Sequence, residues 1–341
     1  MAPAYDAVLL VSFGGPEGPD DVLPFLENVL RGKNVPRERM LAVAEHYQHF
    51  GGQSPINSQN RALVAALQAE LAAAAVNLPV YWGNRNWQPL LADTLREMTR
   101  DGVHHALAFV TSAYGSYSSC RQYLEDIERA RQAAGPAAPR VDKLRAFFNH
   151  PGFIGPMVEQ LRAALQQIPA DRRAQAPIVF TAHSIPTAMA DTGPYVSQLQ
   201  EASRLVMESL GPRRHQFAYQ SRSGPPQQPW LEPDIGDALR SLAAEGVVRD
   251  VVVVPIGFLS DHIEILWDLD TEARAIADSL GLNMVRASTV GNHPDFVRMV
   301  RELIQERMLG APRRALGTLG PAPDNCPADC CAYSPARRAP S

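Results

Sequence analysis

Three groups of side chains in this 341-residue sequence have the types and spacing to do chemistry. The first is Thr181-Ala182-His183-Ser184-Ile185-Pro186, where a histidine closes an apolar run. An imidazole there can bind a metal or exchange a proton near neutral pH. It can equally bond a loop carbonyl and do nothing more, and position alone leaves both readings open. The second group runs from Gly257-Phe258 through Ser260-Asp261-His262-Ile263-Glu264 to Glu272. Glu264, Asp268 and Glu272 recur every four residues and so share one face of a helix. Like charges at that spacing cost an exposed helix roughly a few tenths of a kcal/mol per pair. A capping box between Asp261 and Glu264 accounts for one acid at a helix start. It leaves Asp268 and Glu272 unexplained, and a row of carboxylates supplies hard oxygen donors and an exit for protons. The third group is Cys120 with Cys326, Cys330 and Cys331. Four thiolates can hold an iron–sulfur cluster or a zinc ion, and an idle set of tail thiols is the plain alternative. Asn149-His150-Pro151 and Asn292-His293-Pro294 read as helix starts, a polar cap followed by proline. His46, His49, His104, His105 and His215 have no metal-site spacing.

These residues need elements to hold them. Short runs rich in Val, Leu or Phe predict buried strands at Ala7–Phe13, Leu78–Trp82, Ala106–Ala113, Ile178–His183, Gln216–Tyr219 and Val251–Ile256. Helical stretches alternate with them, among them Arg61–Ala75, Leu90–Arg100 and Tyr195–Leu210. That alternation predicts an α/β fold with doubly wound parallel sheets. The chain also repeats itself. Leu95-Arg96, Gly102-Val103 and Val110 recur 144 residues later as Leu239-Arg240, Gly246-Val247 and Val254. Asn149-His150-Pro151 recurs after 143 residues, and Val8–Pro16 matches Ile178–Pro186 at an offset of 170, pairing Phe13 with His183. The fall in offset implies about 26 extra residues in the first half, within Phe25–Asn57 and its glycine-rich loops. The expected architecture is two similar Rossmann-like halves, 1–168 and 169–309, facing each other across an inter-domain cleft. Ligands of such sheets bind beyond the carboxyl ends of the strands. From Gly310 to Ser341 Ala, Pro and Gly dominate, which predicts a tail with no core of its own.

Composition narrows the function classes. Hydrophobic residues make up 45% and charged residues 20%, ordinary for a chain that buries a core. The net charge is −4 and only Lys33 and Lys143 are lysines among 32 basic residues, so no nucleic-acid-binding stripe is indicated. The longest apolar run, Val251–Leu259, is too short to span a bilayer. No basic stretch precedes Ala7–Val11, and the expectation is a cytoplasmic protein without a secretory signal. Clustered cysteines in that compartment bind metal more often than they form disulfides.

Six motifs together carry a resemblance. They are Leu10-Val11-Ser12-Phe13-Gly14-Gly15-Pro16, Gly51-Gly52-Gln53-Ser54-Pro55, His183-Ser184-Ile185-Pro186, Gln220-Ser221-Arg222-Ser223-Gly224, Pro229-Trp230-Leu231-Glu232-Pro233, and Gly257-Phe258 with Ser260-Asp261-His262-Ile263-Glu264. Over roughly residues 5–308 the sequence resembles the ferrochelatases, and within them the coproporphyrin III ferrochelatase branch. The resemblance implies a chelatase-like, monomeric enzyme of haem biosynthesis that inserts Fe²⁺ into a porphyrin and passes the product to a partner. Coproporphyrin III is favoured over protoporphyrin IX by the likeness of Ser112–Tyr123 and by the lack of a strongly apolar lip around residues 50–65. The resemblance further implies His183 and Glu264 as catalytic residues and Fe²⁺ ligands, with Asp268 and Glu272 as a route for metal or protons. Phe13, Arg31, Ser54 and Tyr123 are the implied porphyrin contacts, and Cys120, Cys326, Cys330 and Cys331 the implied holders of a [2Fe–2S] cluster. Many members of that branch carry tyrosine where Phe13 stands; phenylalanine can pack on the macrocycle but cannot ligate its iron.

The chemistry suits these residue types. A free-base porphyrin carries two N–H protons in the space the metal must enter. Insertion needs a base to take them, a donor to strip water from Fe²⁺, and peripheral contacts that help bend the ring. The rivals are a related chelatase for cobalt or nickel and, from another class, a non-catalytic haem carrier, an iron–sulfur sensor or a two-lobed sugar-binding protein. A carrier needs no acidic row beside His183.

Overall fold

The structure, a computed structural model, describes residues 5–33, 35–224 and 227–333. The first apolar run forms β1 (Ala7–Ser12), all of it buried, as befits a central parallel strand covered on both faces. The chain continues through α1 (Val22–Val29), α2 (Arg37–His49), α3 (Ile56–Ala73), β2 (Val80–Asn84) and α4 (Leu91–Arg100). Next come β3 (His105–Val110), α5 (Gln122–Ala134), β4 (Arg140–Lys143) and α6 (Pro151–Gln166). A second set follows with β5 (Ile178–His183), α7 (Thr187–Ala190), α8 (Tyr195–Glu208), β6 (His215–Gln220) and α9 (Ile235–Ala244). It ends with β7 (Asp250–Val254), α10 (Ile263–Trp267), α11 (Arg274–Ser279), β8 (Asn283–Arg286) and α12 (Pro294–Leu309).

Two four-stranded parallel sheets result, ordered β2-β1-β3-β4 and β6-β5-β7-β8. This is the doubled α/β architecture that the repeats predict. α4 and α9 begin and end 144 residues apart, and β4 and β8, like α6 and α12, are 143 apart. α1 and α2 fill most of the interval where extra residues were expected. The strand pattern does not reveal β4 or β8. Both lie at sheet edges, and Arg140-Val141-Asp142-Lys143 and Asn283-Met284-Val285-Arg286 contain no apolar run because an edge strand keeps one side open.

The two sets interlock. α6, which follows the first sheet, packs on α8, β7 and β8 of the second. α12, which follows the second sheet, packs on α3 and sets Phe296 against Phe109 of β3 at 6.1 Å between ring centroids. The helices also touch each other closely. A Cβ at Gly152 would lie 2.7 Å from both the Asp295 carbonyl oxygen and Met299 Cβ. One apolar core therefore runs from Val8 and Leu10 through Phe153, Leu161, Val300 and Ile304 to Val252 and Val254.

The described part of the tail has an added feature. Residues 310–325 form a strap held by polar groups, which composition cannot reveal. Buried Asn149 donates to the Leu316 and Gly320 carbonyls at 3.1 and 2.8 Å, and its own carbonyl accepts from Leu316 at 2.8 Å. Arg145, 1% exposed, pairs with Glu306 at 2.7 and 2.9 Å and donates to the Arg314 carbonyl at 2.9 Å. The remainder of the tail, 334–341, lies outside the described residues. Among the described residues no helix is long and apolar enough to cross a membrane.

Candidate active site

His183 closes β5, and its Nδ1 bonds the Ser184 carbonyl oxygen. A carbonyl only accepts, so the proton sits on Nδ1 and the lone pair of the neutral ring is on Nε2. That nitrogen lies 3.9 Å from Glu264 Oε1. The side chains are 35% and 42% exposed, so both reach solvent. One ring nitrogen of His183 is spent on a loop carbonyl, and this leaves the other available.

Glu264 reaches that position because the loops after β5 and β7 close tightly. A Cβ at Gly257 would come within 2.5 Å of Ala182 Cβ. The expected cap by Asp261 is not formed, since Asp261 pairs with Arg286 at 2.9 Å. His262 caps α10 instead, its Nδ1 accepting the Glu264 N–H at 3.3 Å. From Asp268 to Ala273 the helix widens into a π-turn, so the acidic row is not carried on one regular α-helix as the spacing suggests. The three acids remain neighbours all the same. Burial pushes Asp268 up to about 7, with Glu264 and Glu272 adding to the shift. The Ser221 hydroxyl and the Gln220 amide donate to the same carboxylate and oppose it.

The other implied contacts lie on the first half. Phe13 follows β1 and meets Phe25 edge-on at 6.2 Å. Tyr123, buried in the first turn of α5, lies under the Arg85 guanidinium at 4.3 Å from the ring centroid; Phe13 is 5.7 Å from the same group. Ser54 is buried against Gly15, where a Cβ would sit 2.8 Å from Ser54 Cβ. Exposed Arg31 stands at a cavity of about 860 Å³ formed by α1, α5 and the segment after β2. Arg85 lines the same cavity, yet it stands in no motif, and nothing in the residue pattern points to it.

The N-terminal insertion reaches across to Glu264. Phe25 and Tyr47 share an apolar cluster with Ile263, and Gln59 exchanges bonds of 3.1 and 3.4 Å with the Asp261 backbone. Burial raises the Tyr47 hydroxyl, and the Glu264 charge adds to that. His46 stacks on Trp267 at 3.9 Å, and His49 meets the same ring edge-on at 5.6 Å.

The cysteines gather where the halves meet: Cys120 is on the first, and Cys331 packs on Gly193 of the second, where an added Cβ would lie 2.9 Å from its Sγ. Cys120 lies in a π-turn, Tyr117–Arg121, and Arg121 donates to the Ala328 and Cys330 carbonyls of the tail. The Cys330 and Cys331 sulfurs are 3.6 Å apart. Burial pushes the Cys326 thiol up to about 11 and Cys331 to about 12, with Cys330 and Cys120 adding to both. Among the described residues no three His, Cys, Asp or Glu side chains surround a single-ion site, so the zinc reading finds no preformed site.

A ferrochelatase family profile matches residues 5–308. The chain belongs to the ferrochelatase family. It is 56% identical over 336 residues to a ferrochelatase of Rhodopirellula baltica, covering 98% of this chain and 95% of that one. It is 53% identical over 350 residues to the coproporphyrin III ferrochelatase of Nocardia farcinica, covering 98% of both. Among solved structures, SirB from Bacillus subtilis with Fe³⁺ superposes with a TM-score of 0.53 at 12% identity, covering 90% of this chain and 97% of that one, which speaks for the fold alone. This ferrochelatase is a porphyrin metal chelatase, and the reading as a non-catalytic carrier or sensor gives way.

Proposed function

We propose that this ferrochelatase inserts Fe²⁺ into coproporphyrin III, with His183 and Glu264 acting on one face of the ring. Relatives named coproporphyrin III ferrochelatase, at 53% identity in Nocardia farcinica and 52% in Streptomyces griseus, support the substrate. The observation that carries the residue roles is the 3.9 Å approach of His183 Nε2 to Glu264 Oε1. Two lone pairs that face each other call for a proton or a cation between them. Imidazole suits Fe²⁺, and the carboxylate adds charge that helps draw the hydrated ion in. As Fe–N bonds form, both pyrrole N–H protons must leave, so that Fe²⁺ and the porphyrin dianion give a neutral centre. His183 takes one proton on Nε2, and the imidazolium so formed is stabilised by Glu264 beside it; the second proton passes to a carboxylate of the acidic row. The row through Asp268 to Glu272 carries protons away.

An anaerobic insertion assay tests this. Coproporphyrin III is expected to exceed protoporphyrin IX in kcat/KM by roughly tenfold or more. His183→Ala and Glu264→Gln are expected to lower kcat by at least about 100-fold. Wild-type rates in His183→Ala would refute the assignment.

A [2Fe–2S] cluster on Cys120, Cys326, Cys330 and Cys331 belongs to the same proposal. A tetrahedral centre with metal–sulfur bonds of about 2.3 Å sets its sulfurs about 3.8 Å apart, close to the 3.6 Å between Cys330 and Cys331. The buried Cys331 thiol, which resists ionisation, loses that penalty when a cation binds its thiolate. When bound, the cluster supplies a one-electron centre. Anaerobically prepared protein should be brown and contain iron and sulfide, and Cys120→Ser should bleach it. A colourless, iron-free preparation would remove the cluster.

A further inference from the structure

The cavity of about 860 Å³ beside α1 and α5 is lined by Arg31, Arg85 and Arg129 against two acids, Glu27 and Asp126. Three cations facing two carboxylates leave the cavity with a net positive charge, and Arg85 is the most buried of the three, where water screens least. Its side chain is 7% exposed. Its Nε is bonded to Asp126, whose other oxygen is taken by Arg129. The Arg85 Cζ lies 4.3 Å from the Tyr123 ring centroid and 5.7 Å from that of Phe13. Among the described residues no partner is found for its two Nη groups. A guanidinium oriented by one carboxylate and one ring, with its terminal nitrogens free, is a receptor for a second carboxylate. The planar fork matches a carboxylate in two-point contact, which an ammonium cannot do.

We propose that Arg85 receives a peripheral propionate of the porphyrin and sets preference for carboxylate-rich rings, with Asp126 as its positioning residue. This rests on the porphyrin reading above. Tyr123 and Phe13 border Arg85, so a propionate seated there would bring the macrocycle edge against both rings. A ring with more propionates offers a carboxylate to this seat in more orientations, so the contact discriminates by acid number rather than by shape.

The test compares wild type, Arg85→Ala, Arg85→Lys and Asp126→Asn on coproporphyrin III and on its tetramethyl ester, which lacks the charge but keeps the ring. Fe²⁺ insertion gives KM and kcat, and the porphyrin absorbance shift gives binding without turnover. Arg85→Ala is expected to raise KM and Kd for the tetra-acid about tenfold, with kcat within about threefold and the ester unchanged. Arg85→Lys should recover part of the loss, and Asp126→Asn should lose less than Arg85→Ala. Equal binding of the tetra-acid by wild type and Arg85→Ala overturns the proposal, as do equal losses on acid and ester. Should Arg85→Ala fail to fold, Arg85→Lys and Asp126→Asn give the same acid-against-ester comparison. A wild type that binds the tetra-acid but inserts no iron refutes the activity proposed above and leaves the Arg85 contact to be judged by Kd.

Discussion

Histidine does two jobs here, and its partners decide which. His183 spends Nδ1 on a carbonyl and turns Nε2 toward Glu264, whereas His150, His262 and His293 spend Nδ1 as helix caps. A capping Nδ1 must be unprotonated, and His150 is fully buried, so burial first and then Arg145 and Arg314 hold its pKa down to about 3. The folded value lies below the unfolded one. The stabilisation is therefore complete above about pH 6.5 and is lost as pH falls from there toward 3. We expect this residue to cost up to about 1.4 kcal/mol per pH unit in that window. His150→Asn, which still caps but does not titrate, should flatten the urea midpoint between pH 5 and 7. Two of these caps, His150 and His293, are the Asn-His-Pro starts read from the sequence as a polar cap followed by proline, and histidine fills the role because its Nδ1 reaches the N–H two residues on. The acidic row was legible because its four-residue spacing survives a change of helix type. Arg85 was not, since an arginine acquires meaning only through what surrounds it.

At the level of elements, the strands with continuous apolar runs were legible and the edge strands β4 and β8 were not. The strap was hidden because its bonds go to carbonyls, which leave no trace in side-chain pattern. Arg145→Ala would strand Glu306, 4% exposed, without its partner. A loss of roughly 3–5 kcal/mol in chemical denaturation is expected. Asn149→Ala removes the two donor bonds that hold residues 316 and 320. It should cost about 1–3 kcal/mol and lower the iron of the proposed cluster, because the strap leads into the segment that carries Cys326, Cys330 and Cys331. Unchanged iron content in that variant would show that the cysteines find one another without the strap.

For the whole molecule, the matched offsets of α4 with α9 and α6 with α12 made the duplication readable from sequence. What they could not disclose is that α6 and α12 each cover the opposite sheet, since a repeat pattern records similarity and not partnership. Separate polypeptides cut at 168/169 would each expose an apolar face. We expect them to aggregate alone and to recover insertion activity only when produced together, which size-exclusion chromatography and the assay would show. The crossing at Gly152 also restricts motion. A clamshell protein swings its lobes about a flexible joint, but here each lobe is roofed by the other's beam, and any swing would have to shear Phe296 from Phe109. Loading and unloading a plate-like ligand must then be the work of the rim, and X-ray scattering should find the same radius of gyration with the porphyrin in place as without it.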